Sequence, residues 1–160
     1  GGGARAESSP GPAAGRPPRG LMGKILDVLI KEPAESVYRF WLASCVETFL
    51  RGSEPADQEF VASSGLMGCL LDGLLQGACR GPASLQINFD LLGELVKFNR
   101  SMFAQLDRLL EVGDSFDRLA EVVVGQVVDS NVFLRSVLLS LERFREEDAS
   151  AGASGGGVPG

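Results

Sequence analysis

The chain contains no histidine. That absence removes Ser-His-Asp and Cys-His catalysis, histidine-ligated metals and histidine pH switching together. Cysteine is scarce. Cys45, Cys69 and Cys79 form no CxxC pair, so neither a disulfide framework nor a zinc site is indicated. Each lies among apolar residues in a helical pattern and is read as a buried thiol in a reducing compartment. Lysine occurs only at Lys24, Lys31 and Lys97, unclustered. No apolar run nears the roughly 18 residues of a membrane span. Leu21–Ile30 follows Arg16 and Arg19 as a signal peptide would, but Lys24 and Asp27 interrupt it. No phosphate-cradling glycine loop follows a strand, and no serine is paired with a base. Asn99-Arg100-Ser101 fits the glycosylation sequon and is read as chance without a secretory route.

What remains is an ordinary soluble composition of 160 residues, 44% hydrophobic and 22% charged. The net charge is −6. Arg5, Arg16 and Arg19 outnumber Glu7 in the first 20 residues, which leaves the body more acidic still. Such a body argues against nucleic-acid binding and against anionic membrane surfaces. Residues 1–20 and 147–160 are rich in glycine, proline, alanine and serine and are expected to be disordered tails. The chain starts at Gly1 rather than methionine, and is read as an internal piece of something longer.

Between the tails the apolar periodicity is helical, with no sustained alternation. Eight helices are expected, over Leu21–Lys31, Ala34–Arg51, Glu54–Ser63, Leu66–Leu75, Ala83–Phe98, Ser101–Leu110, Asp114–Val128 and Val132–Arg145. Asn99 is assigned to the end of the fifth, and Asp129, Ser130 or Asn131 to the cap of the eighth. In the eighth, Val132, Phe133, Val137, Leu138, Leu141 and Phe144 are expected to face inward. The fold class is all-α, an armadillo/HEAT-like helical solenoid over residues 21–146, with an up-down helical bundle as the competing architecture. A weak echo supports repetition. Phe89-Asp90-Leu91-Leu92-Gly93-Glu94-Leu95 matches Phe116-Asp117-Arg118-Leu119-Ala120-Glu121-Val122 as Phe-Asp-x-Leu-x-Glu-apolar.

Candidate chemistry is thin. Glu94 with Glu121, or Asp90 with Asp117, could form an acid–base pair on facing helices, but solvated helix faces account for them more simply. No catalytic, metal-binding or cofactor-binding residue is assigned, and no enzyme activity is expected. Tyr38, Arg39, Phe40 and Trp41 fall within about one turn of the second helix. Trp, Tyr and Arg are the types enriched at binding hot spots. Phe40 and Trp41 are placed on the apolar core face; Tyr38 and Arg39 are the candidate partner contacts, joined by Arg135 on the polar side of the eighth helix.

Three blocks carry a resemblance. They are Ile87–Asn99 (INFDLLGELVKFN); Lys31–Ser36 (KEPAES) with Arg39-Phe40-Trp41 and Val46–Gly52 (VETFLRG); and Val127–Val137 (VVDSNVFLRSV) with Leu139–Phe144 (LSLERF). Taken in chain order, they resemble the transient receptor potential channel 4-associated protein family, also called TRUSS, in the C-terminal half of its much longer members. The resemblance implies an armadillo-like, non-enzymatic adaptor. Such a protein is the substrate-recognition subunit of a cullin-4 RING ubiquitin ligase. Its implied partners are the ligase's adaptor subunit, substrates bearing a C-terminal degron, and receptor or channel tails. Its implied location is cytoplasmic, extending to the perinuclear region. No degron-contacting residue is implied within this stretch.

Overall fold

A computed structural model describes residues 20–79, 81–125 and 131–154. Among the described residues there are eight helices and no strand: α1 Leu21–Lys31, α2 Val37–Leu50, α3 Pro55–Ala62, α4 Leu66–Leu75, α5 Pro82–Val96, α6 Arg100–Leu110, α7 Ser115–Gly125 and α8 Asn131–Ser154. The protein is all-α, as its periodicity requires.

Local chemistry explains where the helices begin. α2 opens at Val37 rather than Ala34. The Ser36 hydroxyl accepts the Tyr38 N–H at 3.2 Å, and the Ser36 N–H closes a turn onto the Pro33 carbonyl. α3 has Pro55 at its first position and a reciprocal capping box between Glu54 and Asp57. Asn99 does not end α5. Its Oδ1 accepts the Met102 N–H at 3.2 Å, so it opens α6. The chain makes this junction through Phe98 at φ 58, and the Ser140 hydroxyl accepts the Phe98 N–H at 2.8 Å.

Helices three apart in sequence pack on one another. α2, α5 and α8 form one row, α1, α4 and α7 a second, and α3 with α6 a third. The main row begins its members at Val37, Pro82 and Asn131, near the roughly 40–47-residue period of armadillo and HEAT repeats. α5 is the centre of this row, with Phe89, Leu91, Leu92, Leu95 and Val96 wholly buried. Gly93 sets the approach of α8, since a Cβ there would lie 3.3 Å from Ser136 Oγ and 3.4 Å from the Phe133 Cα. The rows also show that the Phe-Asp-x-Leu-x-Glu echo does not mark the repeat. It joins α5 to α7, which occupy different rows, and Phe89 is buried where Phe116 is exposed.

That close approach turns α8. Phe133, Ser136, Ser140 and Phe144 face inward, while Val132, Leu138 and Leu141, expected inside, are exposed. Small serines fit against Gly93, and the Ser140 hydroxyl satisfies itself on the Ser136 carbonyl at 2.6 Å. α8 also runs through Glu147–Ser154, beyond the expected boundary at 146. Arg143 pairs with Glu147 at 2.9 Å along the helix. Arg100 of α6 reaches Asp148 at 2.9 Å and stacks over the Phe144 ring at 4.4 Å. Residues 1–19 and 155–160 of the expected tails lie outside the described residues. So do 126–128 of the expected seventh helix and the candidate caps Asp129 and Ser130.

A buried polar bridge joins the third row to the first. Gln58 of α3 donates to the Glu94 and Lys97 carbonyls at 2.8 and 2.9 Å. Asn99 donates to Gln58 Oε1 at 3.1 Å and to the Pro55 carbonyl at 3.2 Å. No helix among the described residues is long and apolar enough to cross a membrane.

Candidate partner-binding surface

The inner face of α2 is Arg39, Ala43, Val46, Glu47 and Leu50. Ala43 keeps the backbone near α5, the helix α2 packs on most. Helical spacing then sends Val37, Tyr38, Trp41, Cys45 and Phe49 to the opposite side, and all five are exposed. Tyr38 is 75% and Trp41 62% accessible. Tyr38 is thus on the surface, as expected. Trp41 is not in the core, as had been expected of it. Its ring stands edge-on to half-buried Phe40 at 5.3 Å, so the neighbouring aromatic orients it.

Arg39, expected as a surface contact, is only 8% exposed. Its guanidinium donates to the Glu32 carbonyl at 2.8 Å and to Cys69 Sγ at 3.3 Å. It therefore ties the end of α1 and the middle of α4 to the start of α2, beside a shallow hollow of about 420 Å3 that Asp72 and Gln76 also line. The aromatic residues Tyr38, Trp41 and Phe49 of α2 lie outside, and its inner face mixes Arg39, Ala43 and Glu47 with the aliphatic Val46 and Leu50. The signal that was available is the i, i+3, i+7 spacing of Ala43, Val46 and Leu50.

Arg135 is exposed on α8, in another part of the structure from the α2 face. The candidate acids are not assembled. Glu94 pairs with Lys97 at 3.7 Å, Asp90 accepts from Gln86 at 2.9 Å, and Asp117 and Glu121 lie exposed on α7. Among the described residues no three Cys, Asp or Glu side chains are placed to hold a metal ion. The thiols differ from one another. Cys79 is buried, Cys69 is half-buried and Cys45 is exposed on the α2 stripe. Burial pushes the Cys79 thiol above its ordinary pKa, opposed by Arg39 and by the Asn88 amide, which donates to Sγ at 2.6 Å.

Stacked helices presenting an exposed aromatic face, with no assembled reaction centre among the described residues, define a class of helical-repeat protein. Comparison with known proteins shows the family. It belongs to the family described as protein of unknown function DUF3689, whose model matches residues 4–156. It is also 42% identical over 130 residues to the short transient receptor potential channel 4-associated proteins of Homo sapiens and Mus musculus. The match covers 81% of this chain and 16% of each relative, so the chain spans a small part of their length. No solved structure matches it.

Proposed function

We propose that this chain is a segment of a non-enzymatic adaptor and that the α2 stripe docks a partner protein. The observation that carries this reading is the exposure of Tyr38 and Trp41 side by side on a helix whose other face is locked into the stack. Large aromatics are costly to leave in water, and at interfaces they dominate binding energy. The adaptor acts in the substrate-recognition subunit of a cullin-4 RING ubiquitin ligase, in the cytoplasm, and recruits substrates by a C-terminal degron. The family resemblance supports that assignment. A second reading is favoured by the relatives' name, which describes association with a channel. In that reading the same stripe holds a channel or receptor tail without ligase assembly.

The test is direct binding of the full chain to the purified cullin-4 adaptor subunit by calorimetry. Tyr38→Ala with Trp41→Ala is expected to weaken binding by about 2 kcal/mol or more, as hot-spot truncation does, without loss of helicity. Absence of binding to the ligase subunit, together with Trp41-dependent binding to a channel tail, would select the second reading. Unchanged affinity in the double variant would remove the α2 stripe from either.

A further inference from the structure

We propose that a groove between α7 and α8 is a second docking surface, whose occupant is an amphipathic α-helix of a partner protein with Lys or Arg bordering its apolar face. The groove follows from the rows. α8 rests on α5, while α7 rests on α4 and α6, so α7 and α8 leave a gap that side chains of α6 line from below. It encloses about 440 Å3. Leu106 and Leu110 of α6 form the floor, Phe116 and Val124 stand on α7, and Leu134 and Val137 stand on α8. Phe116 is 65% and Val124 85% exposed. Leu138 and Leu141 prolong the α8 wall along the same side of the helix. From Phe116 to Val124 the α7 wall runs about 12 Å at 1.5 Å per residue, room for about two turns of a helix laid in the groove.

Charge chooses the occupant. Asp117 and Glu121 flank the row Phe116, Ala120, Val124 on the solvent side of α7. Asp107, Glu111 and Asp114 continue the rim along α6 and the α6–α7 turn; all five are exposed, and none forms an ion pair among the described residues. The cations nearby do not offset them. Arg118 turns back to donate to the Leu75 carbonyl, and Arg108 falls on the far side of α6 by its spacing from Leu106 and Leu110. The α8 side is mixed, with Arg135, Glu142 and Arg145. A basic border on the incoming helix meets this acidic rim. A second copy of this acidic chain would bring like charges together at the same rim. The inference does not depend on the α2 stripe.

The test uses the full chain and two labelled helical peptides with the same leucine face, one bordered by Lys and Arg and the other by Glu. Fluorescence anisotropy should show the basic peptide binding at least about tenfold tighter. Phe116→Ser with Val124→Ser, both at exposed positions, should abolish that binding while circular dichroism remains unchanged. Asp117→Asn and Glu121→Gln should each weaken it roughly two- to fivefold and reduce its salt dependence. Tyr38→Ala with Trp41→Ala should leave it unchanged, which separates a failure here from a failure of the α2 reading. Equal binding of the two peptides would overturn the proposal, as would binding that survives Phe116→Ser with Val124→Ser. A dimer in sedimentation that the same double variant dissolves would overturn it in favour of self-association.

Discussion

Cys79 shows how one buried group couples the fold to pH. Its thiol lies beneath Gly73, where an added Cβ would meet Sγ at 3.2 Å, and it accepts the Asn88 amide. The folded pKa is raised above the ordinary value of 9.0. A raised thiol favours the protonated form in the folded state. Its contribution to stability is therefore complete below the unfolded pKa and is lost as pH rises from there through the folded value. Urea denaturation between neutral pH and about pH 10 should show stability falling at the alkaline end, with a shallower fall in Cys79→Ala. Iodoacetamide should label exposed Cys45 well before Cys79, since the thiolate is the nucleophile and burial withholds it.

Among the helices, α8 decides most. Its buried line is Phe133, Ser136, Ser140 and Phe144, and its outward side carries Leu138 at 66% exposure. Phe133→Ala removes a ring packed 6.0 Å from that of Phe89 and should destabilise by about 3–5 kcal/mol. Leu138→Ala should change stability by no more than about 0.5 kcal/mol. Thermal and chemical denaturation of the two variants would check the order. A larger loss at Leu138 would mean that α8 is rotated from the orientation described. The helix pattern alone did not give this orientation, because apolar residues cover more than half of its circumference. A glycine on α5 and two serines on α8 select among the possible faces.

Across the whole molecule, the polar bridge of Gln58 and Asn99 holds α3 to the end of α5 and the start of α6. No buried side-chain polar atom among the described residues lacks a partner, so removing one member leaves others unsatisfied. Gln58→Leu should destabilise by about 1–3 kcal/mol. Asn99→Leu should act on the same network, and the double variant should lose less than the sum of the two singles. Additive losses in a double-mutant cycle would show that the two side chains act separately.

Helix content, order and number were legible in the chain, since a 3.6-residue apolar period broken by Pro33, Gly52, Pro55, Gly81 and Gly113 leaves little choice of element. The three-helix periodicity of the rows was partly legible in the chain length and the number of helices. The side each helix turns inward was less so. Burial depends on how closely two backbones approach, and that distance is set jointly by residues far apart in sequence, such as Ala43 near α5 and Gly93 against Ser136. Where the contact is close, small or hydrogen-bonded residues take the inner positions and large apolar ones are displaced outward. For that reason Arg39 is buried while Trp41, Phe116 and Leu138 face water. The exposed aromatic and apolar surfaces follow from this displacement, which depends on tertiary contacts more than on the pattern of any one helix.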